Sequence, residues 1–271
     1  MAGVTAARTV VAQLTDPHVT AAGSLLFDKV DTAGFLQAAV GHLNGLTPRP
    51  DLVVATGDLT NEGKPAEYER LAALLGQLTM PLVLLPGNHD DLVAMREAFY
   101  PPPDVGDALG WHHVTEVGPL RVVGLDSLVP GQPGGRLGPE RLAWLDGVLG
   151  SSDAPTIIAV HHPPHVTGID HMDGMRLEDG DALGEVVERH PHVARVITGH
   201  IHRAITALWH GTVVTTSPGT AHQVVLDLDD GPARWSLEPP AVQLHVWLPE
   251  VASLVTHTSY IGDFGPTEPF D

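Results

Sequence analysis

Residues 82–91, LVLLPGNHDD, contain the most informative pattern in this sequence. Four apolar residues are followed at once by a turn that carries Asn88, His89 and Asp90, which is typical of a buried strand that ends at a polar site. The same arrangement occurs at four other places in the sequence. They are Thr9–Leu14 before Asp16 and His18, Leu52–Thr56 before Asp58, Thr156–Val160 before His161 and His162, and Val193–Thr198 before His200 and His202.

Amphipathic segments separate these apolar runs. In residues 31–46 and 65–78 the apolar positions recur at the spacing of a helix, and Pro65 suits a first helical turn. Residues 139–149 and 179–188 repeat the pattern, and a further strand is predicted at 122–125. After residue 200 five successive strands are predicted, at 204–209, 212–216, 223–228, 242–248 and 254–259. We therefore expect an α/β fold in which two sheets form a sandwich and helices cover its outer faces, as four α/β/β/α layers.

The five polar segments are expected to form one site. In an open α/β sheet, the loops at the carboxyl ends of the strands converge on one crevice. Extended backbone in the Asp-x-His and His-x-His pairs would direct both side chains to the same side. The glycines before Asp58, Asn88 and His200 permit tight turns and a close approach of the backbone. Each segment alone is a common turn or strand exit, but together and in this order they predict a site for two metal ions.

Composition restricts the ligands and partners. The chain has 271 residues, with 14 basic residues against 33 acidic ones and a formal net charge of −19. This charge disfavours nucleic acids and anionic membranes, although bound cations would still admit a small anionic substrate. The chain has no cysteine, so the predicted donors are carboxylate, imidazole and amide groups, which suit Fe, Mn or Zn better than calcium. The absence of cysteine, of a signal-peptide pattern and of an apolar run of about 20 residues fits a cytoplasmic location.

The five segments, DPH (16–18), GD (57–58), GNHD (87–90), HH (161–162) and GHIH (199–202), resemble the signature of the calcineurin-like metallophosphoesterase superfamily. Within it the chain is similar to the class III cyclic nucleotide phosphodiesterases and to bacterial glycerophosphodiesterases. This closer likeness rests on PGNHDD (86–91), VHHPP (160–164) and PGTAHQ (218–223), and the tail at 259–271 is similar to that of the glycerophosphodiesterases.

The resemblance implies a role for each residue of the motifs. The expected ligands are Asp16, His18 and His202 for the first metal ion, Asn88, His161 and His200 for the second, and Asp58 as the bridge between them. The implied catalytic residues are His89 and Asn88, and the implied substrate contacts are His89 and His222. A hydroxide held between the two ions would attack a small phosphodiester, with a 3′,5′-cyclic nucleotide such as cAMP expected first. The alternatives are glycerophosphodiesters, phosphomonoesters or a binding scaffold without catalysis.

Other polar residues near the motifs are expected to orient neighbouring groups or to have structural roles. Asp90 should orient a neighbouring group, and Asp126 should accept a hydrogen bond from a ligating imidazole. We expect His162 to be structural and Arg203 to lie at the surface. Of the remaining histidines, His165 and His171 are the ones that could belong to the site.

The organisation of the chain is expected to be one catalytic domain, residues 1–258, followed by a tail, residues 259–271. The tail carries three aromatic residues among Gly and Pro, so we expect a cap over the site or a contact in a homo-oligomer. The loop at 163–178 should form a wall of the substrate pocket through Met172, Met175 and Leu177. Residues 100–110 should form an irregular loop.

Overall fold

The computed structural model describes residues 7–99, 110–229, 231–266 and 268–270, so the predicted loop at 100–110 lies outside the described residues except for Gly110. In these ranges the strands are β1 (Thr9–Leu14), β2 (Leu52–Thr56), β3 (Leu82–Leu85), β4 (His113–Val117), β5 (Leu120–Leu125), β6 (Thr156–Val160), β7 (Val193–Thr198), β8 (Ile205–Trp209), β9 (Thr212–Thr216), β10 (Gln223–Val224), β11 (Trp235–Ser236), β12 (Ala241–Leu248) and β13 (Ser253–Tyr260). The helices are α1 (Thr32–Gly45), α2 (Pro65–Leu75), α3 (Leu92–Ala98), α4 (Gly138–Gly150), α5 (Asp170–Asp173) and α6 (Gly180–Glu188).

Two large sheets form the centre of the molecule. The first has the strand order β13-β12-β1-β2-β3, and the second has the order β4-β5-β6-β7-β9-β8. Strands β1, β2 and β3 run parallel to one another, as do β5, β6, β7 and β9. Strands β10 and β11 form a separate antiparallel pair. The parallel strands therefore extend from the middle to one edge of the first sheet and form the centre of the second.

Alternate residues of the central strands face different apolar cores. Ala12 and Leu14 of β1 pack in a core with Leu36 and Leu43 of α1, whereas Val11 packs between the two sheets. A third core joins the second sheet to α4 and α6, for example through Ile158, Leu145 and Leu183. Burial on both faces explains why these strands are almost continuously apolar. The predicted fold of two sheets between helical layers is confirmed.

Some predicted elements differ from the structure. The strand predicted at 223–228 ends at Val224, and Leu226 and Leu228 beyond it are exposed. Sequence patterns missed α3, which is only seven residues long. Asp91 caps its N-terminus, because the carboxylate of Asp91 accepts hydrogen bonds from the backbone N–H groups of residues 93 and 94. Sequence patterns also missed β4 and β11. No helix in the described ranges is long and apolar enough to cross a bilayer.

The end of the catalytic domain was predicted at residue 258. Strand β13 continues to Tyr260, and Ile261 is buried in the core under α1. The backbone N–H of Ile261 also donates a hydrogen bond to the carbonyl oxygen of Pro240. Strand β13 therefore continues two residues past the predicted boundary and the buried core three, while the roles of the domain and the tail stay predictions.

Candidate metal centre

All seven predicted metal ligands lie at the carboxyl ends of parallel strands. The loops after β1, β2 and β3 carry Asp16, His18, Asp58 and Asn88, and the loops after β6 and β7 carry His161, His200 and His202. Because the two sheets face each other, the five loops meet at one edge of the sandwich. Six of the seven residues are buried, and Asn88 is partly exposed.

The backbone at these ligands is not extended, so the predicted reason for their convergence is wrong. Asp16 and His18 have φ values of 53° and 42°, and His200 and His202 have values of 68° and 51°. A residue other than glycine pays roughly 1–2 kcal/mol for this left-handed conformation. Hydrogen bonds between loops hold it: the backbone N–H of His18 donates to the carbonyl of Asp58, and that of His200 donates to the carboxylate of Asp16. The ligand loops are thus strained turns that brace one another.

The first predicted set of ligands is compact. The Nε2 atoms of His18 and His202 are 3.2 Å apart, and Nε2 of His202 lies 3.3 Å from Oδ1 of Asp16. Nε2 of His18 is 3.5 Å from Oδ2 of Asp58. His222 also belongs to this group, because one of its ring nitrogens lies within 4.8 Å of those of His18 and His202.

The second predicted set lies on the other side of Asp58. Nε2 of His161 is 3.3 Å from Oδ1 of Asn88 and 3.4 Å from Oδ1 of Asp58. The ring of His200 lies 5.2 Å from that of His161, and its buried Nε2 has no hydrogen-bond partner among the described residues. Asp58 therefore directs one carboxylate oxygen toward each set.

The donors around His161 fit a cation. Nδ1 of His161 lies 2.8 Å from the carbonyl oxygen of Thr56. A carbonyl can only accept, so Nδ1 carries the proton and Nε2 of the neutral ring presents a lone pair. That lone pair faces two further acceptors, the oxygens of Asn88 and Asp58. Ligand atoms that share one ion at about 2.0–2.2 Å lie about 3–3.5 Å from each other, which matches the distances in both sets.

The pKa values of Asp16 and His161 also indicate that the site requires positive charge. Burial disfavours the ionised form of Asp16, but the imidazole of His202 outweighs it and lowers the pKa of Asp16 to about 2. Burial lowers the pKa of His161, and the carboxylate of Asp58 more than reverses this and raises that pKa to about 9. Without a metal ion, a proton on His161 would supply the charge that the site requires. A metal ion and this proton would compete for the same lone pair.

Two of the imidazoles predicted to bind metal are oriented by backbone carbonyls and not, as predicted, by Asp126. Nδ1 of His161 donates to the carbonyl of Thr56, and Nδ1 of His202 donates to that of His222. The carboxylate of Asp126 instead accepts hydrogen bonds from the backbone N–H groups of Trp111 and Leu128. The carbonyl groups of Thr56 and His222 were not predicted as partners, because side-chain patterns carry no information about the direction of a backbone carbonyl.

A pocket of about 260 Å³ opens above these ligands. His89 and His222 both line it, in agreement with their predicted contact with substrate. Nδ1 of His89 donates to the carbonyl of Asn61 at 2.7 Å, which leaves Nε2 free to face a ligand. The described residues that line the pocket are His18, Leu26, Phe27, Asp58, Asn61, Asn88, His89, Pro133, Met172, Met175, His200, His202, His222, Val224 and Trp235.

The wall predicted from the loop at 163–178 is partly correct. Met172 and Met175 line the pocket, whereas Leu177 is buried in the core that joins α4 and α6 to the second sheet. Sequence reasoning missed Phe27 and Trp235, whose rings stack with their centroids 5.0 Å apart. Neither residue belongs to a motif that follows a parallel strand.

Three further candidate histidines, His162, His165 and His171, are not among the described residues that line the pocket. His162 contacts the hydroxyl of Ser127 and the carbonyl of Pro133 through its two ring nitrogens, which fits its interpretation as structural, and its ring also lies beside those of His161 and His200.

Arg203 was predicted to lie at the surface, and its side chain is only partly exposed. Its guanidinium group is half-buried, donates to the carbonyl of Val224 and pairs with Glu238 at 3.0 Å. These contacts connect the loop of His202 to β10. Arg203 therefore braces the site and does not face the pocket as a phosphate clamp.

The chain is similar to known phosphoesterases. The family profile described as calcineurin-like phosphoesterase matches residues 9–204. A probable glycerophosphodiester phosphodiesterase GpdQ from Arcobacter nitrofigilis is 38% identical over 271 aligned residues, which cover 96% of each chain. A probable cyclic nucleotide phosphodiesterase from Rhodopseudomonas palustris is 37% identical over 84% of each chain. A cAMP/cGMP dual specificity phosphodiesterase from Mycobacterium tuberculosis is 32% identical over 83% of this chain and 71% of that protein.

Among solved structures, a dimetal phosphatase from Danio rerio has a similar fold. The TM-score is 0.66 with 16% sequence identity, over 93% of this chain and 99% of that chain. At this identity the likeness concerns the fold alone.

Proposed function

The chain belongs to the calcineurin-like phosphoesterase family and is a metal-dependent phosphodiesterase, and we propose that 3′,5′-cyclic nucleotides are its preferred substrates. The observation that carries the proposal is the pocket of about 260 Å³ whose floor is the ligand cluster around Asp58. Its size suits a small diester. The formal charge of −19 opposes binding of a nucleic-acid backbone.

The ligand assignment is part of the proposal. Asp16, His18 and His202 would hold the first ion, Asn88, His161 and His200 the second, and Asp58 both. The nitrogen and oxygen donors favour Fe, Mn or Zn. When bound, two such ions neutralise phosphoryl oxygens and lower the pKa of water to about 7.

His89 is proposed to assist departure of the leaving group. Its Nδ1 keeps a proton that is shared with the carbonyl of Asn61, and Nε2 is available to the pocket. A protonated Nε2 could donate to the departing alkoxide oxygen. Oδ1 of Asn88 faces the ligand set, which leaves the amide N–H₂ group of Asn88 to donate to a phosphoryl oxygen.

Glycerophosphodiesters are the second candidate substrates. The relative from Arcobacter nitrofigilis, named as a probable glycerophosphodiester phosphodiesterase, aligns with 96% of this chain, whereas the relative from Rhodopseudomonas palustris aligns with 84%. The additional aligned length supports this alternative. A cytoplasmic location and a homo-oligomeric assembly are also proposed, the first supported by the absence of cysteine and the second by the exposed aromatic residues of the tail.

A hydrolysis panel tests the substrate proposal. The Mn-loaded protein is assayed with cAMP, cGMP, glycerophosphoethanolamine, glycerophosphocholine and the corresponding phosphomonoesters. We expect the highest kcat/KM for the cyclic nucleotides, measurable turnover of the glycerophosphodiesters and little turnover of the monoesters. Highest kcat/KM for the glycerophosphodiesters would favour the second candidate. Turnover of monoesters alone would overturn both.

A further inference from the structure

We propose that the stacked rings of Phe27 and Trp235 form an aromatic wall that binds the planar base of the substrate, so that the enzyme selects diesters by stacking and not by the identity of the base. This inference rests on the proposed function and names the residues that would decide between its two substrate classes. Both rings line the pocket above the metal ligands.

The ring of Phe27 has one free face. One face stacks on Trp235 with a centroid distance of 5.0 Å and an interplanar angle of 19°, and its edge meets His222 at 5.6 Å. The residue is nevertheless 50% exposed. A planar group that entered the pocket could therefore continue the stack on the uncovered face. Stacking of this kind accepts any base, because every base has a π face.

The backbone holds Phe27 in an unfavourable conformation. Phe27 and Asp28 have φ values of 52° and 55°, and the N–H of Lys29 donates to the carbonyl of Leu26, which describes a tight turn of the type that normally carries Gly, Asn or Asp. An aromatic residue at positive φ is rare. Such strain is found where the surrounding structure imposes it, often at ligand contacts.

The turn is anchored on both sides of its tip. Leu26 and Val30 exchange two backbone hydrogen bonds, and both side chains are buried with Ala221. Phe27 and Asp28 form the exposed tip of the turn, and the ring of Phe27 lines the pocket. The fold thus fixes the base of the turn and leaves its aromatic ring at the pocket, where burial in the protein core cannot account for it.

Trp235 is fixed to the same part of the site. It lies on β11, opposite Val224 of β10, and β10 begins directly after His222. His222 in turn lies close to His18 and His202, with ring centroids 5.3 Å and 4.5 Å away. The aromatic wall therefore has a defined position relative to the predicted first ligand set. One substrate molecule could therefore place its base on the aromatic wall and its phosphate at the predicted metal ligands.

The rest of the apolar lining is adaptable and offers few hydrogen bonds. Met172 and Met175 line the same pocket and have flexible, polarisable side chains. Such a pocket accommodates adenine and guanine alike. We therefore expect little preference between the two bases but a strong preference for a diester that carries a ring.

The test compares a substrate that has a base with one that has none. The kcat/KM values for cAMP and glycerophosphoethanolamine are measured for the Mn-loaded wild type, Phe27→Leu, Trp235→Leu and Phe27→Tyr. Trp144→Leu is the matched control, since Trp144 is a partly buried tryptophan that stacks on His112 away from the pocket. Metal content and circular dichroism establish that each variant is folded and loaded. Binding of AMP and glycerol phosphate is measured in parallel by calorimetry.

We expect the ratio of kcat/KM for cAMP to that for glycerophosphoethanolamine to fall about tenfold or more in Phe27→Leu and Trp235→Leu. Phe27→Tyr and Trp144→Leu should keep the wild-type ratio, and AMP should bind more weakly to the two Leu variants in the pocket. An unchanged ratio and unchanged AMP binding in folded, metal-loaded Leu variants would overturn the inference. Binding of AMP that depends on Phe27, in a protein that cleaves no diester, would support the aromatic wall and overturn the proposed function instead.

Discussion

The hydroxyl group of Tyr68 on α2 donates a 2.9 Å hydrogen bond to Oδ1 of Asp90, beside the predicted ligands. The same carboxylate accepts from the backbone N–H groups of Leu59, Thr60 and Gly87. It therefore joins the loop that follows Asp58 to the loop that carries Asn88. Burial and the nearby carboxylate of Asp58 raise the pKa of Asp90 to about 6. Asp90 acts as a brace between ligand loops, as the sequence predicted.

Replacement of Asp90 should loosen both loops. We expect Asp90→Ala to weaken metal binding by about 10- to 100-fold, the usual effect of a lost outer partner, and to lower the free energy of unfolding by on the order of 3 kcal/mol. Tyr68→Phe should cost about 1–2 kcal/mol. Metal titration and denaturant unfolding measure the two effects. Unchanged metal affinity in a destabilised Asp90→Ala would assign Asp90 to the fold alone.

His89 should contribute to chemistry more than to metal binding. His89→Ala is expected to keep its metal content while kcat falls by about 10²–10⁴-fold, the range typical of general acid–base assistance. The loss should be smaller for nitrophenyl diesters, whose leaving groups need no proton. Kinetics with a series of leaving groups measure this dependence. The same loss for every leaving group would assign His89 to substrate positioning.

The predicted strands were reliable where burial leaves a clear signal. All five residues of β2 and of β6 are buried, and each strand reads as a continuous apolar run that ends at a ligand. Chain order then sufficed to bring the ligands together, because parallel strands share one edge. The positive φ values of Asp16 and His200 were not predictable, since they depend on hydrogen bonds between distant loops.

The pocket walls were less predictable for a related reason. Phe27 projects from a turn in which Asp28 alone is a typical turn residue, and its partner Trp235 lies on a two-residue strand. No periodic pattern marks either position. The pairing arises only from the way the loop after β1 packs on β10 and β11, which is a tertiary effect.

Acid should destabilise the protein through His113. Its ring is buried against Gly124, and neither ring nitrogen has a hydrogen-bond partner in the described part of the chain. Burial lowers the pKa of His113 to about 4. His113 binds a proton below about pH 6.5 in the unfolded chain but only below about pH 4 in the folded chain. The free energy of unfolding therefore decreases as the pH falls from about 6.5 to about 4.

His113→Leu should remove this dependence. Between pH 7 and pH 5 the metal-free wild type is expected to lose about 2 kcal/mol more stability than the variant. Urea unfolding at both pH values, with a chelator present, measures the difference. His257→Leu is the control, because His257 is exposed on β13. Equal losses in wild type and His113→Leu would show that His113 takes up its proton in the folded state.

Two truncations should separate the tail from the fold. Removal of residues 262–271 keeps β13 and the buried Ile261, so its free energy of unfolding should match that of the full chain. Removal of residues 259–271 also deletes Ile261 and should cost on the order of 3 kcal/mol. Denaturant unfolding measures both. Equal stability of the two truncated chains would contradict the contribution of Ile261.

The shorter truncation also tests assembly. Phe264 and Phe270 in the tail are exposed, which is why we predict that they contact another copy of the chain. Sedimentation should give a smaller species after removal of residues 262–271. A full chain that sediments as a monomer, or an assembly that survives the truncation, would count against this role.

Metal stoichiometry is the sharpest test of the proposed centre, because one carboxylate is proposed to serve both ligand sets. Metal analysis of fully active protein should give two ions per chain. Asp58→Ala should lose high-affinity binding of both ions together with activity, whereas Asp126→Asn, which changes a buried carboxylate outside the site, should keep both. Fully active protein with one ion or none, or an Asp58→Ala variant that still binds two ions tightly, would contradict the proposed centre.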